Sequence, residues 1–330
     1  MDPLESIAFA RALIDIDSTT GREEDAGHWL AEQLAALGYT VQRQPVARGC
    51  FNVFATLDDP AVVFSTHFDC VPPFFPSRVE DGRLYGRGSC DAKGILAAQV
   101  AAAQRLRAEG ERRVGLLFVV GEERGSDGAA AANLIANRSR FLINGEPTDN
   151  RLASATRGVL RVRLRASGRA AHSSTPERGE SAIDKLIDAA LLLRTITLPI
   201  DPDLGTTFYS LGLIEGGVAP NVIPAAASAE IMFRTVGSAD DVLAAMAPLR
   251  RYVDLDEVLR VPPVRMHIVP GFDAHVFPFT TDIPFLDRWG TPLLFGPGSI
   301  LVAHTDHEFV PLDELSTAVT AYVRLAKACL

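Results

Sequence analysis

The sequence predicts an α/β protein in which a domain with a mixed, mainly parallel sheet is interrupted by a smaller α+β domain. Three observations predict it. Short apolar runs alternate with helical stretches over the first half, as strands joined by crossover helices do. After about residue 155 the pattern becomes one of half-exposed strands in the order β-α-β-β-α-β, a ferredoxin-like arrangement. From about residue 268 the first pattern returns. The expected domains are therefore 1–154 with 268–330, and an insert at 155–267.

Residues 1–37 read as two helices split by the turn-like "DSTTGREED". "FNVFATL" (51–57) and "AVVFSTH" (61–67) are short apolar strands. "DAKGILAAQVAAAQRLRAEG" (91–110) is an alanine-rich helix closed by Gly110. "RRVGLLFVVGEE" (112–123) is a buried strand, followed by a helix near 127–137 and a strand at "RFLINGE" (140–146). In the insert, "GVLRVRLRASG" (158–168) alternates apolar and polar, as a strand with one wet face does. A helix (about 179–194), "TTFYSLGLIEGG", "AAASAEIMFRTV", a helix (about 238–251) and "VLRVPPVRMHIV" follow. "TPLLFGPG" (291–298) and a helix from Pro311 close the chain.

Hydrophobic content of 47% and charged content of 22% are those of an ordinary globular protein. The net charge of -9, with no basic stripe, argues against nucleic acid as a partner. No apolar run approaches the ~20 residues needed to cross a bilayer. The start, "MDPLESIAFARALIDID", reads as an amphipathic helix rather than a leader, so a cytoplasmic location is expected. The four cysteines have no CxxC spacing, which suggests neither a zinc ribbon nor a disulfide framework. A metal would have to rely on His, Asp and Glu.

Such residues recur where chemistry is expected. "STHFDC" (65–70) puts His67 and Asp69 at a strand end, on one face by strand alternation. Asp91 follows a glycine-rich turn at a helix start, where an N-cap is the ordinary explanation. Glu122 and Glu123 end one strand, Glu146 follows another, and "AHTDHEF" carries His304 and His307. Singly, each has a structural explanation. Together they matter, because the carboxyl ends of parallel strands share one edge of the sheet. Carboxylates crowded there with little Lys or Arg repel one another unless a multivalent cation binds. Carboxylate with imidazole favours zinc, with cobalt or manganese as alternatives. Five ligands, one of them shared, suffice for two ions, and one of the adjacent glutamates is left to take a proton from the water between them.

The motifs "HFDCVP", "GRGSCDAKG", "GEE", "GEP", "GRAAHSSTP", "GGVAPNVIPAAASAEIMFR" and "GPGSILVAHTDHEF" occur in this order along the whole chain. In them the sequence resembles the co-catalytic zinc family of acetylornithine deacetylase, succinyl-diaminopimelate desuccinylase, aminoacylase and glutamate carboxypeptidase. The resemblance implies a zinc-peptidase-like catalytic domain with an inserted lid and dimerisation domain. It implies two Zn2+ per chain: His67 and Glu146 on one, Glu123 and His304 on the other, and Asp91 bridging, with a cis peptide at Asp91–Ala92. Glu122 would be the general base and Asp69 the partner that orients His67. His304, four residues before Glu308, fits the terminal motif better than His307. His172 would cross to the partner subunit of a homodimer and stabilise the oxyanion. Asn221 and Arg234, and less directly Arg157, Gly298 and Ser299, would meet the substrate. "FTTDIPF" resembles a substrate-side Thr/Ser-Asp loop, while His267 and His275 match nothing.

The sequence also departs from the family. The stretch between "VPP" and "GRLYGRG" is short and lacks a tryptophan common in relatives, which implies different substrate-pocket walls. Cys70 and Cys90 are read as packing residues. The implied reaction is hydrolysis of an N-acyl amino acid. Deacetylation of N-acetylornithine or a similar compound, in amino-acid biosynthesis, is the main expectation. A dipeptidase or carboxypeptidase acting on short peptides, or an N-succinyl-diaminopimelate desuccinylase, is the alternative. A catalytically silent binding protein would have lost a ligand or the base, and every such position is filled. A serine hydrolase would need a GxSxG elbow, and none occurs.

Overall fold

Strand Val62–His67 is buried at every position, which is what coverage on both faces requires. The structure, a computed structural model, describes residues 3–47 and 49–330. In it this strand lies inside a six-stranded sheet ordered Thr40–Ala47, Cys50–Thr56, Val114–Val119, Val62–His67, Phe141–Asn144, Thr291–Leu294. The last four strands run parallel and the first two pair antiparallel, so the sheet is mixed and mainly parallel. Alternate side chains feed two cores. Val62, Phe64, Leu116, Phe118 and Ile143 pack with helices Pro3–Ile14, Glu24–Ala36, Lys93–Ala108 and Leu312–Cys329. Val63, Leu117, Val119 and Leu142 meet Ala129, Ala132, Leu286 and Trp289 on the other face.

The chain forms two compact units. The first takes the chain up to Ser154, with Met266–His275 and Thr281–Leu330; the second takes Ala155–Arg265 and Val276–Thr280. Within the second, a four-stranded antiparallel sheet is ordered Phe208–Gly216, Ala226–Thr235, Gly158–Ser167, Asp254–Val261, which is the ferredoxin-like order. Its core takes Leu160, Val162 and Leu164 from strand Gly158–Ser167, with Leu186 and Leu193 of helix Ala182–Leu193 and Val242 of helix Ala239–Ala245. Arg161, Arg163 and Arg165 alternate with those core residues and pair with Glu230 and Asp256. Among the described residues, no helix is long and apolar enough to cross a membrane.

Several sequence expectations need correction. The helix placed near 127–137 ends at Ala132, and the one at 238–251 is α-helical only over Ala239–Ala245. Pro248 disfavours helix at the residue before it, and a short 3-10 segment, Ala247–Arg251, follows instead. Strand Thr40–Ala47 has no counterpart in the sequence reading. It is an edge strand, largely exposed, where Pro45 is tolerated because an edge has an unpaired side. The hairpin of Arg78–Glu80 with Arg83–Tyr85 is likewise unforeseen. Asp81 and Gly82 turn it, both at the positive φ such a turn requires, and Phe309–Pro311 adds a third strand.

Candidate metal centre

Three parallel strands end along one edge, because His67 is in register with Val119 and Ser65 with Asn144. The loops that leave them carry Asp69, Glu122, Glu123 and Glu146. Asp91 comes from the loop before helix Lys93–Ala108, and the Asp91–Ala92 peptide is cis. His304 comes from the loop after strand Thr291–Leu294 and has a φ of +64°.

These side chains converge. His67 Nε2 lies 3.0 Å from Asp91 Oδ1, and His304 Nε2 lies 3.3 Å from Asp91 Oδ2 and 3.0 Å from Glu123. Two donor groups stand out among the described residues: His67, Asp91 and Glu146, and Asp91, Glu123 and His304. In each the ligand atoms lie within 4.8 Å of one another, and Asp91 belongs to both. Glu146 Oε1 is buried with no hydrogen-bond partner, as an unused ligand atom would be. One imidazole with two carboxylates suits zinc, so the donors present fit a divalent ion in each group.

The electrostatics point the same way. Burial pushes the Glu122 and Glu146 carboxyls well above their usual range and raises Glu123 too. Burial works against ionised Asp91 as well, yet hydrogen bonds from His304 and His67 hold its carboxyl well below the usual value. For His67 burial opposes the charged form, but Asp69 and Asp91 override it and raise the imidazole well above its ordinary pKa. Hydrogen bonds to Asp91 and Glu123 lift His304 to about 10. Protons thus occupy the places where a cation would relieve the same repulsion.

Asp69 has a wider task than strand alternation suggests, since the strand already ends at His67. Its main-chain oxygen is 3.1 Å from His67 Nδ1, closer than its carboxylate at 3.4 Å. The carboxylate accepts the N–H groups of Glu122 (3.1 Å) and Glu123 (3.3 Å) and the Thr20 hydroxyl (2.9 Å). One residue therefore orients the histidine and pins the glutamate turn. Glu123 then reaches His304, while the Glu122 carboxylate takes no hydrogen bond among the described residues.

The other candidates fall in different places. His307 is exposed and belongs to neither donor group. Gly298 donates its N–H to Glu314, and Ser299 accepts from the Cys90 thiol through its main-chain oxygen. Burial pushes Cys70 up to about 12 and Cys90 well above its usual value, which suits packing residues. His267 packs against Phe141 with the rings tilted, and His275 pairs with Asp273.

His172, Asn221, Arg157 and Arg234 belong to the second unit. His172 and Asn221 are neighbours there: His172 pairs with Val222, and the Ser173 N–H donates to Asn221 O. His172 Nδ1 accepts the Ser174 N–H, which leaves Nε2–H as the outward donor of the neutral ring. Arg157 donates to the carbonyls of Leu204 and Thr206 and lies over Phe208, so its guanidinium is engaged within the unit. Arg234 is half-buried, its guanidinium has no partner among the described residues, and its pKa is lowered by burial.

Asp282 is the residue the sequence reading undervalues. It is fully buried, and neither carboxylate oxygen finds a hydrogen bond of good geometry. Burial pushes its carboxyl up to about 7, with the field of His67 and the Ser126 hydroxyl opposing and Asp69 and Glu123 adding to the rise. The signal in "FTTDIPF" is an aspartate that follows two threonines and is flanked by apolar residues.

Comparison with known proteins shows the family. The family model described as Peptidase family M20/M25/M40 matches residues 63–328. A protein of Aspergillus clavatus, named a probable carboxypeptidase, is 37% identical over 372 residues, covering 98% of this chain and 82% of its own. A peptidase M20 domain-containing protein of Schizosaccharomyces pombe is 35% identical over 333 residues, covering 97% and 83%. Among solved structures, a tripeptidase from Staphylococcus aureus superposes with a TM-score of 0.84 at 20% identity, over 100% of this chain and 99% of its own, a likeness of fold.

Proposed function

This chain belongs to peptidase family M20/M25/M40 and is a metallohydrolase of the peptidase kind, and from that premise we propose that it cleaves the amide bond of a short peptide with a free carboxylate. The observation that carries this reading is Asp91 set between two imidazoles, each with its own carboxylate, beside an unengaged Glu122. Relatives named as carboxypeptidases favour peptides over N-acetylornithine. Deacetylation of N-acetylornithine or a similar N-acetyl amino acid is the second reading, supported by the terminal motif "GPGSILVAHTDHEFV".

In this reading His67, Asp91 and Glu146 would hold one ion and Asp91, Glu123 and His304 the other. Bound there, two zinc ions would polarise the scissile carbonyl and make a nearby water acidic. Glu122 takes the proton from the attacking water and returns it to the departing amine. His172 donates from Nε2–H to the oxyanion, a contribution of about 10²–10³ in rate for one such donor. Arg234, without a partner in its own unit, suits a carboxylate of the substrate through its planar fork. A homodimer through the second unit is part of the proposal. Edge strand Phe208–Gly216 exposes Leu211, Leu213 and Ile214, beside Ile187 and Leu191 of the neighbouring helix.

Metal content and a substrate panel test the reading. About two zinc ions per chain and chelator-sensitive cleavage of dipeptides are expected, with slower release from N-acetylornithine, N-acetylcitrulline and N-succinyl-diaminopimelate. Faster release from one of the acyl compounds would transfer the assignment to it, and a metal-free, chelator-insensitive protein would end it. His172→Ala is expected to lower kcat about 10²–10³-fold at unchanged metal content. Mixing it with inactive Glu122→Gln should restore some turnover if His172 acts across a dimer. No recovery would place His172 within its own subunit's reaction or outside the chemistry.

A further inference from the structure

Glu308 belongs to neither donor group, yet it is fully buried and takes four hydrogen bonds. Strand Phe309–Pro311 pairs with Arg83–Tyr85, Phe309 facing Tyr85, and this registers Glu308 against the loop that leads to Asp91. Oε1 accepts the main-chain N–H groups of Gly88 (2.9 Å), Cys90 (3.0 Å) and Asp91 itself (3.1 Å). Oε2 accepts from Arg87 Nη1 at 2.6 Å, and the Gly86 N–H returns a bond to the Glu308 carbonyl. Arg87 is also buried; it donates from Nε to Pro73 O, and its own N–H goes to Phe75 O.

The Glu308–Arg87 pair therefore ties together three loops: 71–77 through Arg87, the loop that presents Asp91, and the loop that presents His304. The third loop is under backbone strain, because His304 is a non-glycine residue in the left-handed region. A strained ligand and a shared ligand keep their spacing only if something fixes the two loops to each other. Glu308 is four residues from one and bonded to the main chain of the other. An ion pair this buried relies on its hydrogen bonds; four donors satisfy the carboxylate, while Arg87 Nη2 has no partner among the described residues.

We propose that Glu308, locked by Arg87, is a positioning residue that sets the separation of Asp91 and His304 and thereby the affinity and geometry of the ion they share. This rests on the metal reading above. It extends that reading to a residue outside the ligand set, where partners of ligands are typically worth about 10–100-fold in affinity.

The test is a Co2+ titration of chelator-treated protein, read by visible absorption, for wild type and Glu308→Gln, with circular dichroism as a check on folding. The amide keeps the shape but cannot accept all four bonds. Folded Glu308→Gln is expected to bind one ion about 10–100-fold more weakly, with altered absorption bands. Wild-type affinity and bands in a folded variant, whatever its stability, would overturn the proposal. Should Glu308→Gln not fold, Arg87→Lys keeps the carboxylate and its three amide bonds. It is expected to move affinity and bands in the same direction by less, and unchanged values would overturn the proposal equally. Failure of the wild type to bind two Co2+ would instead defeat the metal reading itself.

Discussion

Glu122→Gln is expected to retain its metal and its fold and to lose about 10²–10⁴-fold in kcat, the range general acid–base catalysis supplies. The cause lies in the turn that carries the two glutamates. Asp69 binds both of their N–H groups, so their directions are fixed by the same anchor. Glu123 is drawn to His304, which leaves the Glu122 carboxylate with no hydrogen bond among the described residues. Burial raises the Glu122 carboxyl well above its usual range, and the nearby acids Asp282, Asp91 and Glu123 add to that rise. A carboxyl whose proton is held more tightly than usual suits a group that must both take and return one. The glutamine variant keeps the volume and removes the proton acceptor. Zinc content and kcat should therefore separate, with the first near wild type and the second collapsed. Wild-type turnover would remove Glu122 from the mechanism, and joint loss of zinc and turnover would make it a ligand.

The parts of this centre that were legible in the sequence share one property. Each is a polar residue placed directly after an apolar strand, so the sheet alone brings it to the common edge. His67, Glu122, Glu123 and Glu146 are of this kind. The pairing of Asp91 with both histidines is not, because it depends on two loops meeting, and only the family resemblance anticipated it. Glu308 was visible merely as a spacing from His304; its bonds to Gly88, Cys90 and Asp91 are made across more than 200 residues. Strand Thr40–Ala47 escaped notice because an exposed edge strand needs no apolar alternation. The hairpin at 78–85 carried a signal, its Asp-Gly turn, but the strands on either side have three residues each. Asp282 is the clearest loss. Its importance lies in a buried carboxylate without a hydrogen bond of good geometry, a property of packing that composition does not display.

The metal-free protein is expected to lose stability as pH rises, and the stabilisation that zinc confers is expected to grow. The direction of each shift sets the sign. Asp282 titrates at about 7 when folded, against about 3.9 for an ordinary aspartate, so between those values the folded state holds the extra proton. Stability then falls with rising pH, by about 1.4 kcal/mol per unit for each proton by which the two states differ. Glu122 and Glu146, also raised, act in the same direction above the usual carboxylate range. His304, raised to about 10, adds stability that is complete below about 6.5 and is lost on going from there toward 10. Asp91 runs the other way. Its carboxyl is lowered, so its contribution is present at neutral pH and disappears only on strong acidification. A metal-free optimum in mildly acidic solution results. Ions held in the two donor groups would displace the protons on His67, His304 and the carboxylates there, so binding is expected to tighten as pH rises. The difference in melting temperature between zinc-loaded and chelated protein should therefore be larger at about pH 8 than at about pH 6. Asp282→Asn, outside the ligand set, should flatten the metal-free profile between about pH 4 and 7 by roughly one proton's slope. A difference that stayed constant or narrowed with pH would mean that the buried acids and histidines are not held by protons when the metal is gone. An Asp282→Asn profile as steep as wild type would assign that slope to the ligands alone.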